Sequence, residues 1–188
     1  MPEVNFSDQR LYLIGARGCG KSTVGARLAA KLGWEFAETD ALAEKIMGRS
    51  IAHAVAEWGW NRFREAETQA LILAAGVASG QAARQAPAVI STGGGIVLGR
   101  ENRELMSKSG LTIYLYASGP ELARRLRLNP GGRPSLTGED PAQEIMRVLE
   151  EREALYRACA RFIVDAEQSV ESVCGRVMEI LTRCGAAP

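Results

Sequence analysis

Residues 10–23 read R-L-Y-L-I-G-A-R-G-C-G-K-S-T, and within them residues 15–22 spell G-x-x-x-x-G-K-S. The apolar run 10–14 predicts a short buried strand, and residues 22–32 carry the spacing of a helix. Strand, glycine-rich turn and helix in that order are the context in which this pattern predicts phosphate binding. Gly15, Gly18 and Gly20 let the backbone curl until successive N–H groups point inward. The next helix adds its unpaired donors and the positive end of its dipole. Gly18, Cys19, Gly20, Lys21, Ser22 and Thr23 are therefore candidate nucleotide contacts. Lys21 would reach the β- and γ-phosphates of ATP, and the Ser22 hydroxyl would hold Mg²⁺.

Outward from this loop, strands and helices alternate. Residues 34–38 read as a second strand that ends at Glu38-Thr39-Asp40, and Gly33 stops the helix before it. Helical patterns follow at 41–47, at 51–58 behind Ser50 as a cap, and from 60 to about 77, with Gly48, Gly59 and Gly76 between or after them. A third strand, 88–91, runs into Gly93-Gly94-Gly95. Then come a helix at about 100–108, a strand at 111–116 and a helix at 120–128 with proline at its start. Residues 129–141 break every period and predict a flexible loop, long enough to be functional. Helix 142–160, strand 162–165 and helix 169–184 complete the chain. This alternation predicts an α/β fold with a parallel, doubly wound sheet in a single domain over 1–188.

Composition narrows the classes of function. The chain has 188 residues, 46% of them hydrophobic, and a net charge of +1. That balance offers no broad basic field for nucleic acid or an anionic membrane. The four cysteines are widely spaced without a C-x-x-C pair, which argues against a zinc site or a disulfide frame. Cys19 sits where the loop needs a small residue, so packing explains it better than redox chemistry. His53, the single histidine, lies in the apolar run I-A-H-A-V-A and reads as a surface or packed residue rather than a base. No apolar run is long enough to span a membrane, and M-P-E-V-N-F-S-D lacks a secretion pattern, so a cytoplasmic location is expected.

Three features place charge or glycine where stability alone would not. Arg152 completes the apolar stripe of Ile145, Val148, Leu149, Leu155 and Tyr156, so it needs either a salt-bridge partner or a ligand. Arg64 and Glu67 lie three apart on the face defined by Trp60, Phe63, Leu71 and Ala74. They can bridge one another, or Arg64 can bind substrate with Glu67 fixing its orientation. Gly93, Gly94 and Gly95 cost backbone entropy at a strand end, which close approach of a ligand would justify; a turn is the alternative. Arg133 in the long loop, taken alone, is a solvated charge.

Taken in order, G-A-R-G-C-G-K-S-T, E-T-D, F-R-E-A-E, S-T-G-G-G, G-R-P-S-L, R-E-A-L-Y and F-I-V-D-A resemble the shikimate kinase family. The resemblance runs from Leu11 to about Leu181. It implies a P-loop, three-layer α/β/α fold like that of the nucleoside monophosphate kinases. It further implies a five-stranded parallel sheet, a helical substrate-binding excursion at about 40–78 and a mobile lid at about 129–141. The implied activity is transfer of the ATP γ-phosphoryl group to the 3-hydroxyl of shikimate, with Mg²⁺, in chorismate and aromatic amino-acid biosynthesis. By the same resemblance Asp40 would bind the shikimate hydroxyls and accept the reacting proton. Arg64 and Arg152 would grip the carboxylate, and Gly93, Gly94 and Gly95 would line the ring. Arg133 would close on the phosphates, and Arg125 would stack on adenine. Glu38 and Ser91 would reach the metal through water, and a monomer is implied. One departure stands out: the family's D-x-D is E-T-D here, which lengthens the first acid by one methylene, roughly 1.5 Å. The rival expectations are a gluconate-type kinase of the same fold and a non-catalytic ATP-binding regulator.

Overall fold

The structure, a computed structural model, describes residues 10–76, 86–128 and 141–185. Five strands form one all-parallel sheet in the order β2-β3-β1-β4-β5. The strands are β1 (Arg10–Ile14), β2 (Glu35–Glu38), β3 (Ala88–Ser91), β4 (Leu111–Tyr116) and β5 (Phe162–Asp165). The three central strands are almost wholly buried, whereas both edge strands are partly open. That is why 10–14, 88–91 and 111–116 read as apolar runs rather than as alternating patterns. Arg10 belongs to this core, and its guanidinium is held by the carbonyls of Ala75 (3.2 Å) and Ala86 (2.8 Å).

The helices are α1 (Lys21–Leu32), α2 (Thr39–Met47), α3 (Ile51–Ala75), α4 (Arg100–Ser109), α5 (Gly119–Leu128), α6 (Pro141–Cys159) and α7 (Val170–Arg183). Helix α1 packs on α7 and on the β1–β3 side of the sheet; α3 meets α4, and α6 meets α5 and β4. Ser50 and Ser169 cap α3 and α7, accepting from the amides of His53 and Ser172. Gly33, Gly48 and Gly76 end their helices in the left-handed conformation.

Boundaries move in ways that matter. The second strand starts at Glu35, not Trp34, and α2 begins at Thr39 rather than residue 41. Glu38 is extended at the N-cap position of α2, without a side-chain capping bond, and Asp40 stands in the helix's first turn, where the dipole favours a carboxylate. The two helices expected on either side of Gly59 are there. Gly59 has φ 77° and ψ 174°, a kink inside α3. A 3₁₀ turn, Ile96–Leu98, follows the triple glycine and was not expected. The loop at 129–140, with Arg133, and Val77 lie outside the described residues.

The strand order puts β1 between β3 and β4: the connection from β1 runs to one side of it, and the connection from β3 crosses it to the other side. Ligands bind at such a switch point, beyond the carboxyl ends of the strands. The phosphate loop, the Glu38–Asp40 turn, the triple glycine and Ala166 all follow strand ends on that edge.

Candidate active site

The loop between β1 and α1 has the backbone that its glycines allow. Gly15, Gly18 and Gly20 carry φ of 143°, 85° and 97°. Cys19 is buried in its interior, and a Cβ on Gly15 would fall 2.9 Å from its sulfur, so packing accounts for it. Lys21 is buried, and its ammonium donates to the carbonyls of Gly15 (2.8 Å) and Ala16 (2.9 Å). A cleft of about 450 Å³ opens beside the loop. Gly18, Cys19, Gly20, Lys21, Ser22 and Thr23 line it, and so do Asp40 and Arg125. Arg17, Thr92, Ala166 and Gln168 also line it, and the motif did not mark them.

Arg125 is placed by a bracket of acceptors. Its Nε meets Glu121 at 2.7 Å, its Nη2 the carbonyl of Ala166 at 2.7 Å, and its Nη1 the carbonyl of Gly18 at 3.5 Å. Arg124 and Arg125 together draw the Glu121 carboxyl down to about 2, so this bracket stays charged at any working pH.

The donor set on the other wall fits a magnesium ion carried by a nucleotide. The Ser22 hydroxyl lies 3.5 Å from that of Ser91, too long for a good hydroxyl hydrogen bond. Glu38 is the strand partner of Ser91. Among the described residues no three His, Cys, Asp or Glu side chains gather into a cage of their own. One or two protein oxygens completed by phosphates and waters is the arrangement this ion prefers.

The triple glycine is the hub of the remaining residues, and a different element holds each position. Thr92 donates from its hydroxyl to Leu13 O at the end of β1 (3.0 Å). Gly93 N–H donates to the hydroxyl of Thr39 in α2 (2.9 Å). Gly94 O accepts from Tyr156 (2.5 Å) and Arg152 (3.3 Å), both in α6. Gly95 lies against the Arg64 guanidinium of α3. A Cβ on Gly93 would come within 2.6 Å of both Asp40 Oδ1 and Glu67 Oε1, and one on Gly95 within 2.0 Å of Arg64 Nη1. Gly93 and Gly95 leave room for the side chains of Asp40, Glu67 and Arg64, which a Cβ at either position would meet. The same stretch abuts the phosphate loop: a Cβ on Gly94 would sit 3.5 Å from Arg17 N and 3.6 Å from Gly15 O.

Arg64 makes the bridge to Glu67. It donates to Glu67 at 2.6 Å and still faces the glycine loop. Glu67 is 1% exposed, and burial pushes its carboxyl up against the pull of Arg64 and Arg152. Arg152 is 8% exposed and has no ion pair among the described residues; its Nε is buried without an acceptor. His53 is exposed on α3, away from these groups. Sequence reasoning missed Thr39 and Tyr156. Tyr156 follows Arg152 by four residues on the same helix face, the one signal that pointed to it.

The chain matches the shikimate kinase family model over residues 17–182. It is 45% identical to the shikimate kinase of Oleidesulfovibrio alaskensis, covering 94% of this chain and 99% of that protein. It is 42% identical to shikimate kinase 2 of Sodalis glossinidius, covering 92% and 95%. Among solved structures it resembles the shikimate kinase from Acinetobacter baumannii in complex with shikimate, with a TM-score of 0.84, 29% identity and coverage of 97% and 98%. The fold agrees with these likenesses, and the chain belongs to the shikimate kinase family.

Proposed function

We propose that the protein transfers the γ-phosphoryl group of ATP to the 3-hydroxyl of shikimate, giving ADP and 3-phosphoshikimate. The observation that carries this reading is the crowding of Asp40, Arg64, Glu67 and Arg152 around one glycine loop that itself abuts the phosphate loop. A rigid acid with several hydroxyls matches two guanidinium groups and an acceptor carboxylate set side by side. The orphaned Nε of Arg152 supports a carboxylate ligand, because a buried charged donor left unpaired is costly.

Phosphoryl transfer asks the protein for positioning and charge neutralisation more than covalent chemistry. Arg64 and Arg152 hold the acceptor's carboxylate, and Gly93, Gly94 and Gly95 admit its ring close to the backbone. Asp40 takes the proton of the attacking hydroxyl onto its carboxylate as the new P–O bond forms. Lys21 and the loop amides offset charge on the β- and γ-phosphates, while Arg125 flanks the base. Ser22 would hold Mg²⁺, with Glu38 and Ser91 acting through water; the ion's chemistry there is to neutralise phosphate oxygens. Arg133, which lies outside the described residues, would add positive charge at the phosphates, by the family resemblance. The location is cytoplasmic and the working unit a monomer, on family likeness.

A coupled ADP-release assay with shikimate, gluconate and nucleoside monophosphates, with and without Mg²⁺, tests this. Mg²⁺-dependent release with shikimate alone is the expected result. Turnover of gluconate instead, or tight ATP binding with no product from any acceptor, overturns it.

A further inference from the structure

Arg152 raises a physical problem that the reaction alone does not answer. A buried guanidinium takes whatever strong acceptor is nearest, and the nearest here is Gly94 O. Yet the contact is long, 3.3 Å, and Nε stays unpaired. The same carbonyl has a second donor. The Tyr156 hydroxyl donates to Gly94 O at 2.5 Å, the shorter of the two bonds, and its oxygen also lies beside the Arg152 guanidinium. Burial pushes the Tyr156 hydroxyl up, so it keeps its proton and remains a donor.

Tyr156 is itself held in place. Its ring stacks on Tyr114 with centroids 5.0 Å apart and planes at 24°. The Tyr114 hydroxyl donates to Glu153 at 2.6 Å, and Glu153 also takes Arg157 Nε at 2.6 Å. Glu153 is the carboxylate beside Arg152 in sequence, and these two bonds occupy it. The network therefore fixes Tyr156 on the carbonyl that Arg152 also reaches, while Glu67, whose carboxyl feels Arg152, is bonded to Arg64.

We propose that Tyr156 is a positioning residue for the acceptor: by holding Gly94 O it keeps the Arg152 guanidinium under-satisfied and available to the substrate carboxylate. Without the hydroxyl, Arg152 closes on Gly94 O and the glycine backbone relaxes toward it. The inference rests on the assignment of Arg152 to the shikimate carboxylate.

A double-mutant cycle tests it, using wild type, Tyr156→Phe, Arg152→Lys and the pair. Tyr156→Phe raises KM and Kd for shikimate about tenfold, the size of one lost charge-linked hydrogen bond. The loss sits in KM, with kcat and the KM for ATP within about twofold. In the Arg152→Lys background the same change costs less than about twofold, because its target is gone. Additive losses, a fall in kcat at constant KM, or an unchanged KM overturn the proposal. Binding of ADP and a cooperative melt check that each variant folds. If Tyr156→Phe does not fold, 3-fluorotyrosine labelling of the otherwise native chain reads the same contact. The Tyr156 ¹⁹F resonance, assigned by elimination among the four tyrosines, shifts on adding shikimate and not on adding its carboxamide. No shift with shikimate, or equal shifts with both, overturns the proposal. A wild-type protein that neither binds nor phosphorylates shikimate sinks both readings, whereas wild-type turnover with additive losses sinks this one alone.

Discussion

Asp40 occupies the first turn of α2, lines the cleft beside the phosphate loop and crowds Gly93. If it accepts the reacting proton, Asp40→Asn lowers kcat by about 10²–10⁴ while leaving ADP affinity alone; near-full turnover would remove it from that role. Glu38 is different, because water-mediated contact tolerates a change in side-chain length. Glu38→Asp shifts the Mg²⁺ concentration for half-maximal rate by less than about tenfold, and a larger shift points to direct ligation. Glu67 makes a statement about pH. Its folded carboxyl titrates above the ordinary 4.5, so the native state binds its proton more tightly than the unfolded chain does. Its contribution to stability is then fully present below that value and is lost as pH rises through the folded pKa. The stability of wild type minus Glu67→Gln, from denaturant melts between pH 4 and 8, should fall with rising pH; a rise would contradict the burial argument.

At the scale of elements, the stretch after β3 converts packing into specificity. Gly95 has φ −95° and ψ −3°, which any residue adopts, so its cost on substitution is steric rather than conformational. The atom in the way is the end of a flexible arginine, 2.0 Å from a Cβ there. Gly95→Ala should therefore leave the melting temperature within a few degrees and raise the shikimate KM by about 10²-fold by displacing Arg64. An unchanged KM would show that Arg64 need not sit where it does. The sequence marked this stretch as three glycines at a strand end, with close approach of a ligand as the reading and a turn as the alternative. The deciding fact is which side chains crowd it, and those come from α2, α3 and α6, far apart in the chain.

For the whole molecule, the cleft beside the phosphate loop and the glycine hub meet at one edge of the sheet, so ligands binding there should stabilise the entire fold. Mg²⁺-ADP at about a hundred times its Kd adds about 2.7 kcal/mol. That corresponds to a rise in melting temperature of about 5–10 °C for a chain of this size, readable by calorimetry. No rise under saturating nucleotide would argue that the cleft is not the nucleotide site. Strands and helices were legible in the chain because each rests on local periodicity, glycine punctuation and capping residues. The phosphate loop was legible for the same reason, since all of its working groups lie within eight consecutive residues. Arg64 and Arg152 could be marked as charges on apolar faces, but not assigned partners. Only the tertiary structure decided that Arg64 bonds Glu67 while facing Gly95, and that Arg152 and Tyr156 share the Gly94 carbonyl while Arg152 Nε has no acceptor. Competition for one carbonyl oxygen depends on distances between segments brought together by folding, and no local pattern encodes it.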